Sequence, residues 1–115
     1  MAGSGSTYVT VCANPCFGLI LISLTIGFDH NGASYAVYRI AEGYYASDGW
    51  CTHEHAHLAD GFVVNREIEC PLHQGRFDIP SGKAKSAPVC VHLKTYPVRV
   101  EDGEVLLGLP VQDAS

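Results

Sequence analysis

Residues 50–77 read WCTHEHAHLADGFVVNREIECPLHQGRF, and the placement of cysteine and histidine within them decides what the chain is built around. Cys51 and His53 stand one residue apart. After a gap of 16 residues, Cys70 and His73 stand two apart. Two short turns thus each offer one thiol and one imidazole, and four such donors suit zinc or an iron–sulfur centre. Zinc fingers usually pair two cysteines close together and then two histidines. The order here is C-x-H and then C-x-x-H. A binuclear iron–sulfur cluster can divide its ligands by type, both thiolates on one iron and both imidazoles on the other, so that each loop touches both metals. His55 and His57 compete with His53 on chemistry alone, because alternation puts all three on one face of an extended segment. The residues by themselves leave that choice open, and a zinc-binding interaction module stays open with it.

Outward from this stretch, apolar runs are short and turn signals frequent. Thr7–Cys12 reads as a strand and Leu19–Ile26, rich in β-branched residues, as a second. Asn31-Gly32 predicts a hairpin leading into Ser34–Ile40. Tyr44–Ser47, Phe62–Val64, Glu67–Cys70 and Arg76–Ile79 follow as strands, and Pro80-Ser81-Gly82 as a turn. Lys94–Val100 and Glu104–Leu109 are joined through Asp102-Gly103, a second hairpin signal. No long window shows helical periodicity, so the pattern predicts an all-β sandwich or barrel.

Composition bounds the function. A chain of 115 residues is one domain by size, and 47% hydrophobic with 17% charged residues fits a packed core rather than disorder. Lys and Arg total 7 against 12 Asp and Glu, a net charge of −5, which argues against a nucleic-acid partner. Five cysteines in 115 residues are too sparse for a disulfide scaffold. Cys12, Cys16 and Cys90 therefore read as inert buried thiols. Met1–Ser6 has no basic region of a signal peptide, which predicts a cytoplasmic protein. Phe17–Phe28 is apolar over 12 residues, whereas a membrane-spanning helix needs about 20, so no membrane partner is expected. The apolar run from Cys16 to Phe28 reads as a buried strand.

The double motif resembles that of the Rieske [2Fe–2S] proteins, in which two histidines replace two cysteines on one iron. Cys70-Pro71-Leu72-His73-Gln74-Gly75-Arg76-Phe77-Asp78 is similar to the family's C-P-x-H-x-G-x-F-D segment, and Ser81–Ala84 and Thr95–Val98 to its downstream elements. The resemblance implies one Rieske-type [2Fe–2S] cluster held by Cys51, His53, Cys70 and His73. It also implies a fold with an antiparallel β-sandwich or barrel base and a small cluster-binding subdomain made of two loops. The expected organisation is a flexible leader over 1–6, one domain over 7–110 with its cluster-binding part at about 48–78, and a flexible tail over 111–115. His30, His55, His57 and His92 are read as solvated surface residues, and Trp50 as packing that shields the centre.

High-potential members of the family carry two extra cysteines that brace the loops by a disulfide. Ala56 and Leu72 stand at those positions, and Gln74-Gly75 where a serine would hydrogen-bond a cluster sulfur. Fewer such bonds imply a potential near the low end of the Rieske range, about −150 mV. The short chain looks most like a free ferredoxin of a multicomponent aromatic-ring dioxygenase system. That likeness implies one-electron transfer from a flavoprotein reductase to a terminal ring-hydroxylating oxygenase, with no catalytic residues and no turnover of its own. Glu54, His55 and Gln74 would form the docking rim. The alternative is a small Rieske subunit of an assimilatory nitrite reductase.

Overall fold

The computed structural model describes residues 6–13, 24–52, 55–72, 75–86 and 91–110, and among these strand is the dominant regular structure. Strands β1 (Ser6–Ala13), β10 (Val98–Glu101) and β11 (Glu104–Pro110) form one three-stranded sheet in the order β1-β11-β10. Strands β2 (Leu24–His30), β3 (Ala33–Ile40), β4 (Gly43–Asp48) and β9 (Thr95–Tyr96) form a second, in that order. A third sheet takes β5 (Phe62–Val64), β6 (Glu67–Glu69), β7 (Arg76–Asp78) and β8 (Ala84–Ser86) in sequence order. Every pairing is antiparallel. The only helical element among the described residues is one turn, Leu58–Asp60.

Two turns fix the registers. His30 faces Ala33 across Asn31-Gly32, whose φ angles are 52° and 82°, and Glu101 faces Glu104 across Asp102-Gly103, at 50° and 77°. Paired positive φ is the tight turn whose twist matches that of the flanking strands, which is why Asn-Gly and Asp-Gly occupy it. The strand expected over Lys94–Val100 is broken at Pro97. Proline has no N–H to give the ladder, and its carbonyl instead accepts from the Gly108 N–H at 2.8 Å.

Strand β3 is a wall shared by two cores. Side chains alternate along a strand, and Ala36, Tyr38 and Ile40 enter one core while Val37 enters the other. The second core is basal, with Val105, Leu107 and Leu109 of β11 at its centre. Leu24, Ile26 and Phe28 are half-buried against it. The buried strand expected in the apolar run is corrected to a half-buried one: it spans Leu24–His30 rather than Leu19–Ile26 and, as the edge of its sheet, has a neighbour on one side only, while residues 16–23 lie outside the described residues. The first core joins Leu58, Ile68, Phe77 and Ile79 to Cys51 and Cys70, and it positions the site.

One cysteine reading needs correction. Cys12 is half-buried and disulfide-bonded rather than an inert thiol, which the spacing of isolated cysteines does not reveal. Cys16 and Cys90 lie outside the described residues, as do most of the expected leader and the tail.

Candidate metal centre

Two loops carry the two halves of the sequence motif, and their cysteines share one core. The first follows β4, and the Cys51 N–H donates to the Ala56 carbonyl at 2.9 Å. The second links β6 to β7, and the Cys70 N–H donates to the Gly75 carbonyl at 2.8 Å. Each is a six-residue loop, closed at its base by the cysteine that opens it. Both cysteines are buried, Cys51 at 7% and Cys70 at 1% exposure, and neither is in a disulfide. They belong to the same apolar core. His53, Glu54, His73 and Gln74 lie outside the described residues. Among the described residues no three metal-ligating side chains gather.

The donor set fits a binuclear iron–sulfur cluster. Two thiols emerge from an apolar core at the feet of two equivalent loops, and each loop carries one imidazole in its sequence. Soft sulfur donors in a water-poor setting are what such a centre takes. Ala56, which is buried, and Leu72, which is exposed, carry no thiol.

A third segment backs the first loop. The Thr52 hydroxyl donates to the Val91 carbonyl at 2.7 Å, and the Asp48 N–H donates to the Lys94 carbonyl at 2.9 Å. The Leu93 N–H donates to the Gly82 carbonyl. His92 is exposed, but its Nδ1 accepts the Ala84 N–H at 2.9 Å. Behind the second loop, Arg76 lies 3.1 Å from Glu69 and 3.8 Å from Glu67, tying β7 to β6. Asp78 accepts from both the hydroxyl and the N–H of Ser81. Its partial burial would raise its carboxyl, but these bonds, aided by Arg66 and Lys85, hold it below the usual range. Burial pushes the Tyr38 hydroxyl well above its ordinary value. It bonds Ser47 at 2.7 Å in the core that holds the cysteines.

The histidines and Trp50 correct the expectation. His57 is half-buried, with both ring nitrogens engaged, by Ala59 and Ser34, because it caps the helical turn that follows. His30 is half-buried and stacked on Phe28. His55 is exposed, as expected, and stacks on Trp50 with centroids 4.3 Å apart. Trp50 is 42% exposed rather than a buried shield. Sequence reasoning missed the parts played by Thr52, His57 and His92, whose only signal was a polar side chain next to a turn.

Residues 24–97 match the Rieske [2Fe–2S] domain model. The ferredoxin component of the naphthalene 1,2-dioxygenase system of Pseudomonas putida is 47% identical over 90 residues, 78% of this chain and 86% of the relative. A chain from the complex of reduced oxygenase and oxidized ferredoxin in carbazole 1,9a-dioxygenase superposes with a TM-score of 0.78 at 33% identity. That match covers 86% of this chain and 99% of the other. A nitrite reductase small subunit from Mycobacterium tuberculosis gives a TM-score of 0.78 at 20% identity, over 93% and 98% of the two chains. At that identity it shows a shared fold alone.

The frame is all-β, and the match over residues 24–97 together with the 47% identical relative shows the class: the chain belongs to the Rieske [2Fe–2S] family. It carries a Rieske-type [2Fe–2S] cluster and is an electron-transfer ferredoxin of the ring-hydroxylating dioxygenase kind, not an enzyme with turnover of its own. No helix among the described residues is long and apolar enough to cross a membrane.

Proposed function

We propose that Cys51, His53, Cys70 and His73 hold the cluster. On this reading the protein passes single electrons from a flavoprotein reductase to the terminal oxygenase of an aromatic-ring dioxygenase system. The observation that supports it best is the pair of equivalent closed loops whose cysteines meet in one core. Bound there, the group supplies a reversible one-electron couple. The chain's own part is to fix two thiolates on buried loop feet and to keep water from the sulfurs with Phe77, Ile68 and Leu58 of the same core. The absence of a bracing thiol at Ala56 and Leu72 supports a low potential.

Docking takes place near the loop tips. Trp50, Leu72 and Val91 are 42%, 57% and 59% exposed, and each sits on or beside a loop of the site. Electron carriers use small transient contacts, below about 1,200 Å² in total. Exposed apolar side chains at such a contact give attraction without locking the pair. The relatives' aromatic dioxygenase systems favour an aromatic substrate for the partner oxygenase. The working unit is residues 7–110, with the cluster-binding part at about 48–78. On the same reading the protein works in the cytoplasm, where Cys51 and Cys70 stay reduced.

Absorption, iron and sulfide counts, and low-temperature EPR of the dithionite-reduced protein test the ligand set. Cys70→Ser should abolish the signal and loosen the loops, since ligation energy is folding energy in small metal domains. Wild-type iron content and EPR in that variant would refute the set. Reduction by a nicotinamide–flavin reductase and onward transfer to a ring-hydroxylating oxygenase separate this role from that of a nitrite reductase subunit. Failure of both transfers would refute it.

A further inference from the structure

The first loop is fastened to the frame by a side chain outside the ligand set. We propose that His57 is a positioning residue: a neutral imidazole protonated at Nε2 that bolts the stem of loop 51–56 to Ser34 of β3 and so fixes the surroundings of Cys51. The inference rests on Cys51 being a cluster ligand.

The ring's hydrogen bonds assign its own proton. Nδ1 accepts the Ala59 N–H at 3.0 Å, so it carries no hydrogen, and a neutral ring must hold its proton on Nε2. Nε2 lies 2.7 Å from Ser34 Oγ. The Ser34 hydroxyl donates its single proton to Asp29 Oδ1 at 2.6 Å, so toward His57 it accepts. The bonds therefore run in one direction, from His57 to Ser34 to the Asp29 carboxylate. Ser34 also holds the loop stem by its main chain, its carbonyl accepting the Gly49 N–H at 2.9 Å.

The ring fills a slot that two glycines leave open. A Cβ on Gly49 would lie 2.5 Å from His57 Nε2, and one on Gly27 would lie 3.3 Å from His57 Cε1. Trp50 closes the slot edge-on, with centroids 4.9 Å apart. His57 faces Trp50 as an antiparallel bridge partner. Bonds from the Leu58 N–H to the Gly49 carbonyl and from the Cys51 N–H to the Ala56 carbonyl lie on either side of that bridge. His57 thus occupies the rung beneath the ligand loop, and its tether sets where that rung stands relative to β3.

Two variants separate the tether from the helix cap. His57→Asn keeps an oxygen acceptor for the Ala59 N–H but is too short to reach Ser34. Ser34→Ala keeps the cap and removes the acceptor. Both should broaden or shift the EPR signal of the reduced protein and move its reduction potential. The double variant should go no further than the larger single one, because both break one link. Hydrogen exchange over residues 49–58, a readout that needs no cluster signal, should speed about five- to tenfold in both. A His57→Asn protein with wild-type EPR, potential and exchange overturns the proposal, as do additive effects in the double variant. If His57→Asn does not fold, Ser34→Ala decides alone, and a wild-type spectrum and potential overturn it. Faster exchange with unchanged EPR and potential leaves only a structural tether and also refutes positioning. Absence of a [2Fe–2S] signal in the wild type would instead refute the ligand set, while exchange still reads the tether.

Discussion

Replacing Phe77 with alanine strikes the core that holds both cysteines. Phe77 is fully buried, pairs with Ile68 across β6 and β7, and shares its core with Cys51 and Cys70. Truncating a buried phenylalanine costs about 3–5 kcal/mol, the transfer term plus the cavity left behind. A domain of 115 residues has roughly 6–17 kcal/mol in hand at about 0.05–0.15 kcal/mol per residue, so Phe77→Ala should still fold. At about 1.4 kcal/mol per factor of ten, its open state should be populated a hundredfold or more above wild type. If opening precedes loss of the cluster, release to a chelator should speed by a similar factor, followed as the decay of visible absorbance. Val105→Ala is the control, because Val105 is equally buried but belongs to the basal core. It should cost about 2 kcal/mol and speed release far less than its own destabilisation would. Two outcomes would refute the reasoning. One is wild-type release from Phe77→Ala. The other is release that tracks global stability equally in both variants, which would mean the two cores open as one.

Tyr38→Phe removes the hydroxyl bonded to Ser47, and Ser47 keeps its own bond to the Asp48 carbonyl, so the loss should be about 1 kcal/mol by denaturant titration with an unchanged EPR signal. Asp78 has its carboxyl held low, so it contributes stability above the ordinary carboxylate range and loses it as pH falls through the lowered value. Asp78→Asn should therefore flatten the acid limb of a stability–pH curve while leaving its slope above neutrality unchanged. Arg76→Ala should cost no more than about 1 kcal/mol, since its pairs with Glu67 and Glu69 are partly exposed, and should weaken further differences at high salt. Thr52→Val cuts the bond to the Val91 carbonyl, and proteolysis next to Val91 should quicken without loss of the fold.

Much of this was legible in the sequence for local reasons. Asn31-Gly32 and Asp102-Gly103 announce their turns because few other residues accept positive φ twice in succession, and each sets the register of the strands beside it. Strand β8 and the helical turn Leu58–Asp60 escaped, because Ala84-Lys85-Ser86 has no β-branched or aromatic residue to mark a strand and a single turn is too short to show the helical period. Cys51 and Cys70 stood apart from the other cysteines through the histidines spaced beside them, and the fold sets both in one core. His57 was not legible. A ring bound at both nitrogens has the same sequence neighbours as a solvated one, and the residues that make room for it, Gly27 and Gly49, meet it only in the folded chain. Trp50 misled for the related reason that aromatic rings beside a motif usually pack inward, whereas here His57 takes the inner position and leaves the indole at the surface.

The pairing of β1 with β11 sets Ser6 opposite Pro110, so the polypeptide enters and leaves the frame side by side. That doorway opens on the sheet whose side chains fill the basal core, while the cysteines belong to the other core. A unit with adjacent ends can be spliced into a longer chain as a cassette. Joined through such a doorway to a redox partner by a short flexible linker, it would meet that partner at millimolar effective concentration. Delivery would then stop depending on how often two separate molecules collide, and the same electron carrier would serve as a built-in module instead of a diffusing shuttle.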